Sequence, residues 1–341
     1  MPRSAAFSAA GLRASDLLGL VRSRVGSGDV GVQARRPFRF LLCGDPGLVA
    51  ALRRLLLRGS DVDNAPGDAA STLETIDPFG RRLVPGPDVR AAIFLGYPGD
   101  LAGARLDLVQ ALGVPIFALV VDPLGAAEAA APLVAPSARE IATYVVPAIE
   151  REPLRGRFFP HLIERCNGTE VAVGRRLPVL REAVAAKLTR DAASAALKIA
   201  GASAAVESLP ILGLALGPMT SAGDMVAITG IQLVLMMQIG AAYGHDPDLA
   251  RIWEMLPIVG GGLGWRALAR ELSGFVPVAG IAIKAAIAYA GTIVVGEGVG
   301  FFYEHGHHMT AAQAGAIYEE RKRTVLSLAQ DFTRRLRPKG R

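Results

Sequence analysis

Hydrophobic positions in the first half of the chain form short, almost wholly apolar runs that alternate with stretches of helical spacing. The pattern predicts strands at residues 38–43, 91–95 and 114–121, and helices at residues 48–57, 101–112 and 137–149. The last helix is predicted from Ser137, an N-cap residue with Glu140 three positions further on. Apolar strands that alternate with helices predict an α/β domain whose parallel sheet is covered on both faces.

The second half of the chain, residues 208–302, is dominated by glycine, alanine and apolar residues. Three Pro-x-x-Gly tetrads divide it, at residues 210–213, 257–260 and 277–280. Proline lacks an N–H and clashes with the preceding helical turn, so each tetrad is predicted to end one helix and begin another. This half is therefore predicted to be an all-α, Gly/Ala-rich domain of short helices.

Together these patterns predict five segments. They are a leader without stable structure at 1–35, an α/β domain at 36–150, connecting helices at 151–190, an apolar helical domain at 191–303 and a basic helical tail at 304–341. The stretch 59–87, rich in Asp, Pro and Gly, is predicted to be a long loop or a region with weak structure.

Charge is distributed unevenly along the chain. Residues 1–190 carry 24 basic and 19 acidic side chains, residues 191–303 carry 5 and 8, and residues 304–341 carry 8 and 4. A weakly charged apolar block between basic flanks is typical of a membrane-associated segment with both flanks on the cytoplasmic side. The net charge of only +6 and the aromatic content of 6% argue against nucleic-acid binding.

Two runs within the apolar block are long enough to bear on a bilayer core of about 30 Å. Residues 225–244 carry no formal charge, although Gln232 and Gln238 would need partners inside a bundle. Residues 272–296 have Lys284 at their centre, and inserting a central lysine costs roughly 2.5–3.5 kcal/mol unless its ammonium snorkels. Two interpretations stay open: a bundle partly inserted in a bilayer, or a soluble bundle with a very apolar core.

The turn after the first predicted strand, Gly44-Asp45-Pro46-Gly47, stands where a nucleotide-binding domain has its phosphate loop. The positions for Gly-Lys-Ser/Thr are filled by aliphatic residues at 49–51, so the lysine and the magnesium-binding hydroxyl are missing. We therefore expect a Rossmann- or P-loop-like domain that lacks the phosphate loop, has no cofactor and hydrolyses no nucleotide. The candidates for residual ligand binding at the ends of the strands are Gly44, Asp45, Gly47 and Asp122.

Residues 265–272 form an amphipathic pattern with tryptophan and arginine on different faces. Trp265 shares the apolar face, whereas Arg266 and Arg270 are four positions apart on another. This combination is typical of a membrane interface, so Trp265, Arg266, Arg270 and the snorkelling Lys284 are the predicted interface residues. A surface helix of a soluble protein gives the same pattern.

Three stretches of the second half carry a family resemblance. Residues 264–272 read Gly-Trp-Arg-Ala-Leu-Ala-Arg-Glu-Leu, residues 276–280 read Val-Pro-Val-Ala-Gly, and residues 286–292 read Ala-Ile-Ala-Tyr-Ala-Gly-Thr, with Gly-Glu at 296–297. With these motifs, residues 187–303 resemble the YcjF-like domain of unknown function. The resemblance implies a bacterial inner-membrane protein that works with a GTPase-type fold, and it brings no catalytic residues.

Three histidines near the end of the apolar block, His305, His307 and His308, are candidate ligands for a transition metal. Neighbouring residues on a loop rarely converge on one ion, so a solvent-exposed helix end is the competing interpretation and no metal is expected. The two cysteines, Cys43 and Cys166, have no metal-type spacing and are predicted to be buried thiols.

These observations favour a non-enzymatic scaffold or recruiter on the cytoplasmic face of the bacterial inner membrane. Lipid and a GTPase-type or other protein are its expected partners, and self-association stays open. An atypical GTPase and a soluble helical interaction protein are the alternatives.

Overall fold

The computed structural model describes residues 27–60, 68–76, 86–100, 113–123, 141–207, 227–247 and 280–336. The chain divides into two compact units. The first, called the α/β unit, comprises Val32–Lys187 and Ala241–His245. The second, called the helical unit, comprises Met1–Gly31, Leu188–Gly240 and Asp246–Arg341.

The α/β unit is built on a five-stranded sheet in which every neighbouring pair of strands is parallel. The strands are β1 (Arg39–Gly44), β2 (Leu73–Thr75), β3 (Val89–Gly96), β4 (Ile116–Val121) and β5 (Ala142–Val146), in the spatial order β2-β1-β3-β4-β5. In the register, Leu42 lies opposite Thr75 of β2 and Ile93 of β3. The three strands expected from apolar runs are confirmed as β1, β3 and β4.

Both faces of the sheet are covered, as parallel strands require. Side chains alternate between faces along a strand, so Leu41 and Cys43 point to one side and Phe40 and Leu42 to the other, and all four are buried. Helix α2 (Pro46–Leu56) follows β1 and buries its apolar stripe of Leu48, Val49, Leu52 and Leu56. The α/β domain expected from the pattern is thus present.

Two expectations for this unit are wrong. The helix predicted at 137–149 is not formed within the described residues, because Ala142–Val146 is strand β5. Its Thr-Tyr-Val-Val sequence is β-branched and aromatic, which favours a strand over the helix that Ser137 and Glu140 suggested. The stretch 59–87, predicted to be a long loop or a region with weak structure, contains the strand β2 and a 3₁₀ turn at Ala69–Thr72. The predicted helix 101–112 lies outside the described residues.

Short helices follow β5, as expected for the connecting segment: α3 (Arg151–Arg155), α4 (Phe158–Glu164) and α5 (Glu170–Arg176). Gly168 separates α4 from α5 with a φ of +78°, a left-handed value that glycine adopts without steric cost. Buried Arg176 holds this segment to the rest of the unit, because its Nε lies 3.2 Å from the Asp68 carboxylate. Its guanidinium also stacks over the Phe38 ring.

Both cysteines are free and buried, as predicted. The Cys43 thiol donates a weak hydrogen bond to the Ile93 carbonyl, and the Cys166 thiol donates one to the Leu162 carbonyl. Burial raises the pKa of each thiol to about 12. Neither is therefore a thiolate at neutral pH.

Besides the first residues of helix α1 (Ser27–Arg35), up to Gly31, the helical unit contains four helices among the residues that the structure describes. They are α6 (Arg181–Glu207, from Leu188 onward in this unit), α7 (Ala227–Ala242, up to Gly240), α8 (Gly280–His305) and α9 (Ala311–Leu336). Four small residues, Ala196, Ala200, Ala285 and Ala288, form a buried cluster in this unit. Gly306, with a φ of +72°, ends α8 before α9 begins.

The predictions for the Pro-x-x-Gly tetrads, the leader and the tail have different outcomes. The Pro-x-x-Gly tetrads at 210–213 and 257–260 lie outside the described residues, whereas the third ends at Gly280, where α8 begins. At the other end of the chain, the leader predicted to lack structure up to residue 35 includes helix α1 (Ser27–Arg35). The charged tail is helical as expected, since α9 covers most of it.

Candidate functional site

The predicted ligand-binding residues lie at the edge of the sheet where β1, β3 and β4 end. The turn after β1 depends on Gly44, which has a φ of +114°. A Cβ atom added to Gly44 would lie 2.0 Å from the Leu95 carbonyl oxygen. The backbone N–H of Asp45 donates to the same oxygen at 2.8 Å. The close approach of these two strand ends therefore requires glycine at position 44.

Asp45 controls the chemistry at the start of α2. It is the N-cap residue, and its Oδ1 accepts a hydrogen bond from the Leu48 N–H at 2.9 Å. Free N–H groups at a helix N-terminus are what binds phosphate in nucleotide-binding domains. Here the Asp45 carboxylate accepts from one of these N–H groups and places its negative charge where a phosphate would bind. Gly47 lies beside it, its Cβ position 3.1 Å from the Asp45 Oδ1.

The second turn at this edge follows β3. The Asp100 carboxylate accepts a hydrogen bond from the Tyr97 N–H at 2.7 Å, and the Asp100 N–H donates back to the Tyr97 carbonyl. Gly99, between them, has a φ of +102°. Tyr97 itself is 43% exposed.

Asp122 follows β4 and is 6% exposed. Its N–H donates to the Val146 carbonyl of β5 at 2.9 Å. In the sheet, β3 lies between β1 and β4. The structure therefore brings Gly44, Asp45 and Gly47 together at the end of β1, whereas Asp122, at the end of β4, lies two strands away. Aspartates follow all three strand ends, which gives this edge the wrong charge for a nucleotide phosphate.

The three histidines lie at the end of α8, each against an aromatic ring. The His305 ring stacks on Phe301 with centroids 4.1 Å apart, and His307 meets the edge of Phe301 at 5.2 Å. His308 stacks on Phe302 at 4.9 Å. All three are exposed, and no group of three metal-ligating side chains is found among the described residues. The rings of His305 and His307, which share Phe301, have centroids 6.0 Å apart, whereas His308 packs on a different phenylalanine.

Most predicted membrane-interface residues, Trp265, Arg266 and Arg270, lie outside the described residues, as does the side chain of Lys284. Helix α8 itself is described, and its stretch Ala285–His305 has a mean hydropathy of 1.5 in its most apolar window. By length and composition it is the one helix of the described chain that is able to cross a membrane, and 72% of that window is buried within the structure. A buried core helix of a soluble protein has the same properties.

Gln232, which the sequence analysis identified as needing a partner, has one. Its side-chain amide donates to the Thr292 hydroxyl of α8 at 3.3 Å, and that hydroxyl donates to the Ala288 carbonyl at 2.8 Å. Both side chains are buried. The Gln232 amide and the Thr292 hydroxyl are therefore hydrogen-bonded within the bundle, which a lipid or an apolar core equally requires.

Sequence reasoning missed one polar group altogether, the hydrogen-bonded pair Tyr144 and His161. Tyr144 falls in the segment predicted to be a helix, and His161 in a segment read only as a connection. The β-branched and aromatic run 143–146 was the available signal, because a strand there points alternate side chains to one face.

The class of protein that these observations define is an α/β protein with an added helical region. Comparison of the chain with protein-family models, characterised proteins and solved structures finds no match.

Proposed function

We propose that the protein is a non-enzymatic, membrane-associated scaffold or recruiter on the cytoplasmic face of the bacterial inner membrane. It would act with the bilayer or with a GTPase-type partner, as its resemblance to the YcjF-like domain implies. The observation that carries the proposal is helix α8, whose apolar stretch Ala285–His305 is 21 residues long. At 1.5 Å per residue, that length spans about 30 Å of hydrocarbon.

The packing around α8 supports this proposal. A Cβ atom added to Gly296 would lie 2.1 Å from the Thr189 hydroxyl oxygen of α6, so the two helices meet at the glycine itself. The buried alanines of α6 and α8 form a cluster in the same unit. Close contact through small residues, with polar side chains bonded across helices, is how helices associate in lipid.

The α/β unit is proposed to be a nucleotide-binding-like domain that has lost the function of the nucleotide-binding site. Its strand order β2-β1-β3-β4-β5, all parallel, is one of the two common orders of doubly wound folds. In such folds ligands bind where the order reverses, here between β1 and β3. Asp45 takes a helix donor there, and no lysine or hydroxyl follows at 49–51. These features support protein contact over hydrolysis.

The second candidate function is a soluble helical interaction protein. It is favoured by the burial of 72% of the apolar window of α8, which already hides this helix from solvent.

Membrane fractionation of cells expressing the full chain separates the two candidates. We expect the protein in the membrane fraction, and expect it to resist washing with high salt and alkaline carbonate because its attachment is apolar. The matched variant Lys322→Gln/Arg323→Gln removes basic charge from α9, leaves the sequence of α8 unchanged and should stay in the membrane fraction. Full recovery of the unmodified chain in the soluble fraction before any wash would favour the soluble protein.

Calorimetric titration with GTP and magnesium tests the α/β unit separately. We expect no binding, because the Asp45 carboxylate already accepts from the helix N–H of Leu48 and its negative charge repels a phosphate. Micromolar binding with release of phosphate would contradict the non-enzymatic proposal and favour an atypical GTPase.

A further inference from the structure

The α/β unit carries a second group of polar side chains around Tyr144 and His161. Tyr144 lies in the middle of β5, the outermost strand next to β4, and His161 lies on α4. The Tyr144 hydroxyl and the His161 Nδ1 form a hydrogen bond, and both side chains are half-buried. A tyrosine–histidine pair at the edge of a sheet, partly open to solvent, is positioned to meet a ligand.

Aromatic rings enclose this pair on its protein side. The His161 ring meets the Phe117 ring edge-on at 5.2 Å, and the Tyr144 ring meets Phe158 edge-on at 5.4 Å. Burial raises the pKa of Tyr144 and lowers the pKa of His161, so both are uncharged at neutral pH. The low local dielectric that causes these shifts also strengthens hydrogen bonds made there.

Two exposed arginines flank α4, the helix that carries His161. Arg157 comes directly before α4 and Arg165 directly after it, and both side chains are exposed. Both positive charges lie close enough to Tyr144 to lower its pKa against the effect of burial. The arginine Arg165 and the carboxylate of Glu164 also act on His161, in opposite directions. The charges around the pair therefore sum to one positive charge.

These two arginines differ from their neighbours on α3. Arg151 and Arg155 both pair with Glu182, at 3.4 and 2.6 Å. Within the part of the chain that the structure describes, neither Arg157 nor Arg165 forms a salt bridge. Two guanidinium groups without salt bridges in the described chain, near a half-buried pair of hydrogen-bonding side chains, are the chemistry that recognises an oxyanion.

We propose that Tyr144, His161, Arg157 and Arg165 form a binding site for a phosphate group. When the tyrosine hydroxyl donates to Nδ1, the neutral imidazole carries its proton on Nε2 and offers it as a donor. The arginines supply forked donors and charge. The phosphate belongs to a soluble phosphate ester or to a lipid headgroup. The site acts in either case, whether or not the helical unit meets a bilayer.

Titration of the full chain, labelled with ¹⁵N-histidine, with inorganic phosphate at pH 7.5 and constant ionic strength tests the site. The chain has 5 histidines, so the other four report non-specific effects. We expect a saturable change in the ring signals of His161 alone. Arg157→Gln and Arg165→Gln should each weaken binding about tenfold, as loss of a charge-assisted hydrogen bond implies.

Two further variants sharpen the test. Glu164→Gln removes the one acidic group acting on His161 and should strengthen binding roughly two- to fivefold. Arg54→Gln removes an equally exposed arginine from α2 and should leave binding unchanged. If His161 does not respond to phosphate, or if Arg54→Gln weakens binding as much as Arg165→Gln, the proposal is overturned.

Vesicles distinguish the two sources of phosphate. Phosphatidylcholine vesicles with and without phosphatidic acid are added to the full chain and to the Arg157→Gln/Arg165→Gln variant. If the unmodified chain binds vesicles more tightly when they contain phosphatidic acid, and the variant does not, the site binds a lipid headgroup. Equal vesicle binding by both chains, together with saturable binding of inorganic phosphate, assigns it to a soluble phosphate ester. Membrane attachment through α8 would persist in the variant, so failure of this site and failure of the membrane proposal give different results.

Discussion

At the scale of single residues, two glycines with similar backbone angles do different work at the carboxyl edge of the sheet. Gly44 has a φ of +114° and faces the Leu95 carbonyl at a distance that no side chain tolerates. Gly99 has a φ of +102° but no atom within 4 Å of its Cβ position. Gly44 is therefore required both for its positive φ and for its close approach to Leu95, whereas Gly99 is required only for its positive φ.

Alanine substitution should separate these two roles. Gly99→Ala should lower the free energy of unfolding of the α/β unit by about 1–2 kcal/mol, the cost of a left-handed L-residue. Gly44→Ala adds a collision with backbone and should cost at least about 3 kcal/mol. Hydrogen exchange of the β1 and β3 amides measures both. Equal losses for the two variants would show that the close approach at Leu95 is not a constraint.

At the scale of elements, the packing of α6 against α8 depends on a missing side chain. Three atoms of Thr189 lie within 3 Å of the Cβ position of Gly296. Gly315 on α9 is the matched opposite, since it is helical and exposed and its Cβ position has no neighbour within 4 Å. The same substitution should therefore have opposite effects in these two helices.

We expect Gly296→Ala to destabilise the helical unit by about 1–3 kcal/mol through overpacking. Gly315→Ala should instead stabilise it by about 0.5–1 kcal/mol, because alanine loses less conformational entropy in a helix. Thermal unfolding followed by circular dichroism, in one detergent for both variants, gives the comparison. An unchanged melting temperature for Gly296→Ala would contradict the close contact.

The sequence predicted those elements whose pattern of apolar residues is long and uninterrupted by polar ones. The wholly apolar runs of β1, β3 and β4 and the amphipathic stripe of α2 were predicted because burial on both faces, or on one stripe, leaves a clear signal. Strand β2 has three residues, too few for any period, and is formed by pairing with Leu42 and its neighbours. Strand β5 was misassigned because a capping signal outweighed β-branched residues at 143–146.

At the scale of the whole molecule, the chain leaves the α/β unit after Lys187 and returns to it for Ala241–His245. In the returning segment the His245 carbonyl accepts a hydrogen bond from Arg175 at 3.0 Å. The Tyr243 ring lies under the Arg181 guanidinium at 5.6 Å. This return was beyond prediction from the sequence, because contacts between residues about 70 positions apart leave no local pattern.

Removal of the Tyr243 ring should therefore weaken a unit from which it is distant in sequence. We expect Tyr243→Ala to lower the stability of the α/β unit by about 2–4 kcal/mol, through loss of a buried ring and its cation–π contact. Tyr97→Ala, which removes an exposed ring from the same unit, should change it by less than about 0.5 kcal/mol. Hydrogen exchange of the α5 and β3 amides reports the effect. Loss of protection confined to α7 and α8 would contradict the assignment of this segment.

The candidate site was predictable only in part, for related reasons. The turn at Gly44 and Asp45 follows a strong strand signal, so its place at the strand ends was predicted correctly. The group around Tyr144 and His161 joins strand β5, which was predicted to be a helix, to the short helix α4. Its arginines are distinguished from others only because they form no salt bridges with the residues that the structure describes. That property is visible in three dimensions alone.

The buried thiols of Cys43 and Cys166 have a practical consequence for future spectroscopy. Thiolates are the nucleophiles that attack maleimide and methanethiosulfonate reagents, and thiols with a pKa of about 12 scarcely form thiolates near pH 7. A cysteine introduced at an exposed position will thus be the sole attachment point for a fluorophore or spin label while both natural cysteines stay in place. A pair of such cysteines, one on a strand and one on a helix, then gives the distance between those two elements without replacement of either natural cysteine.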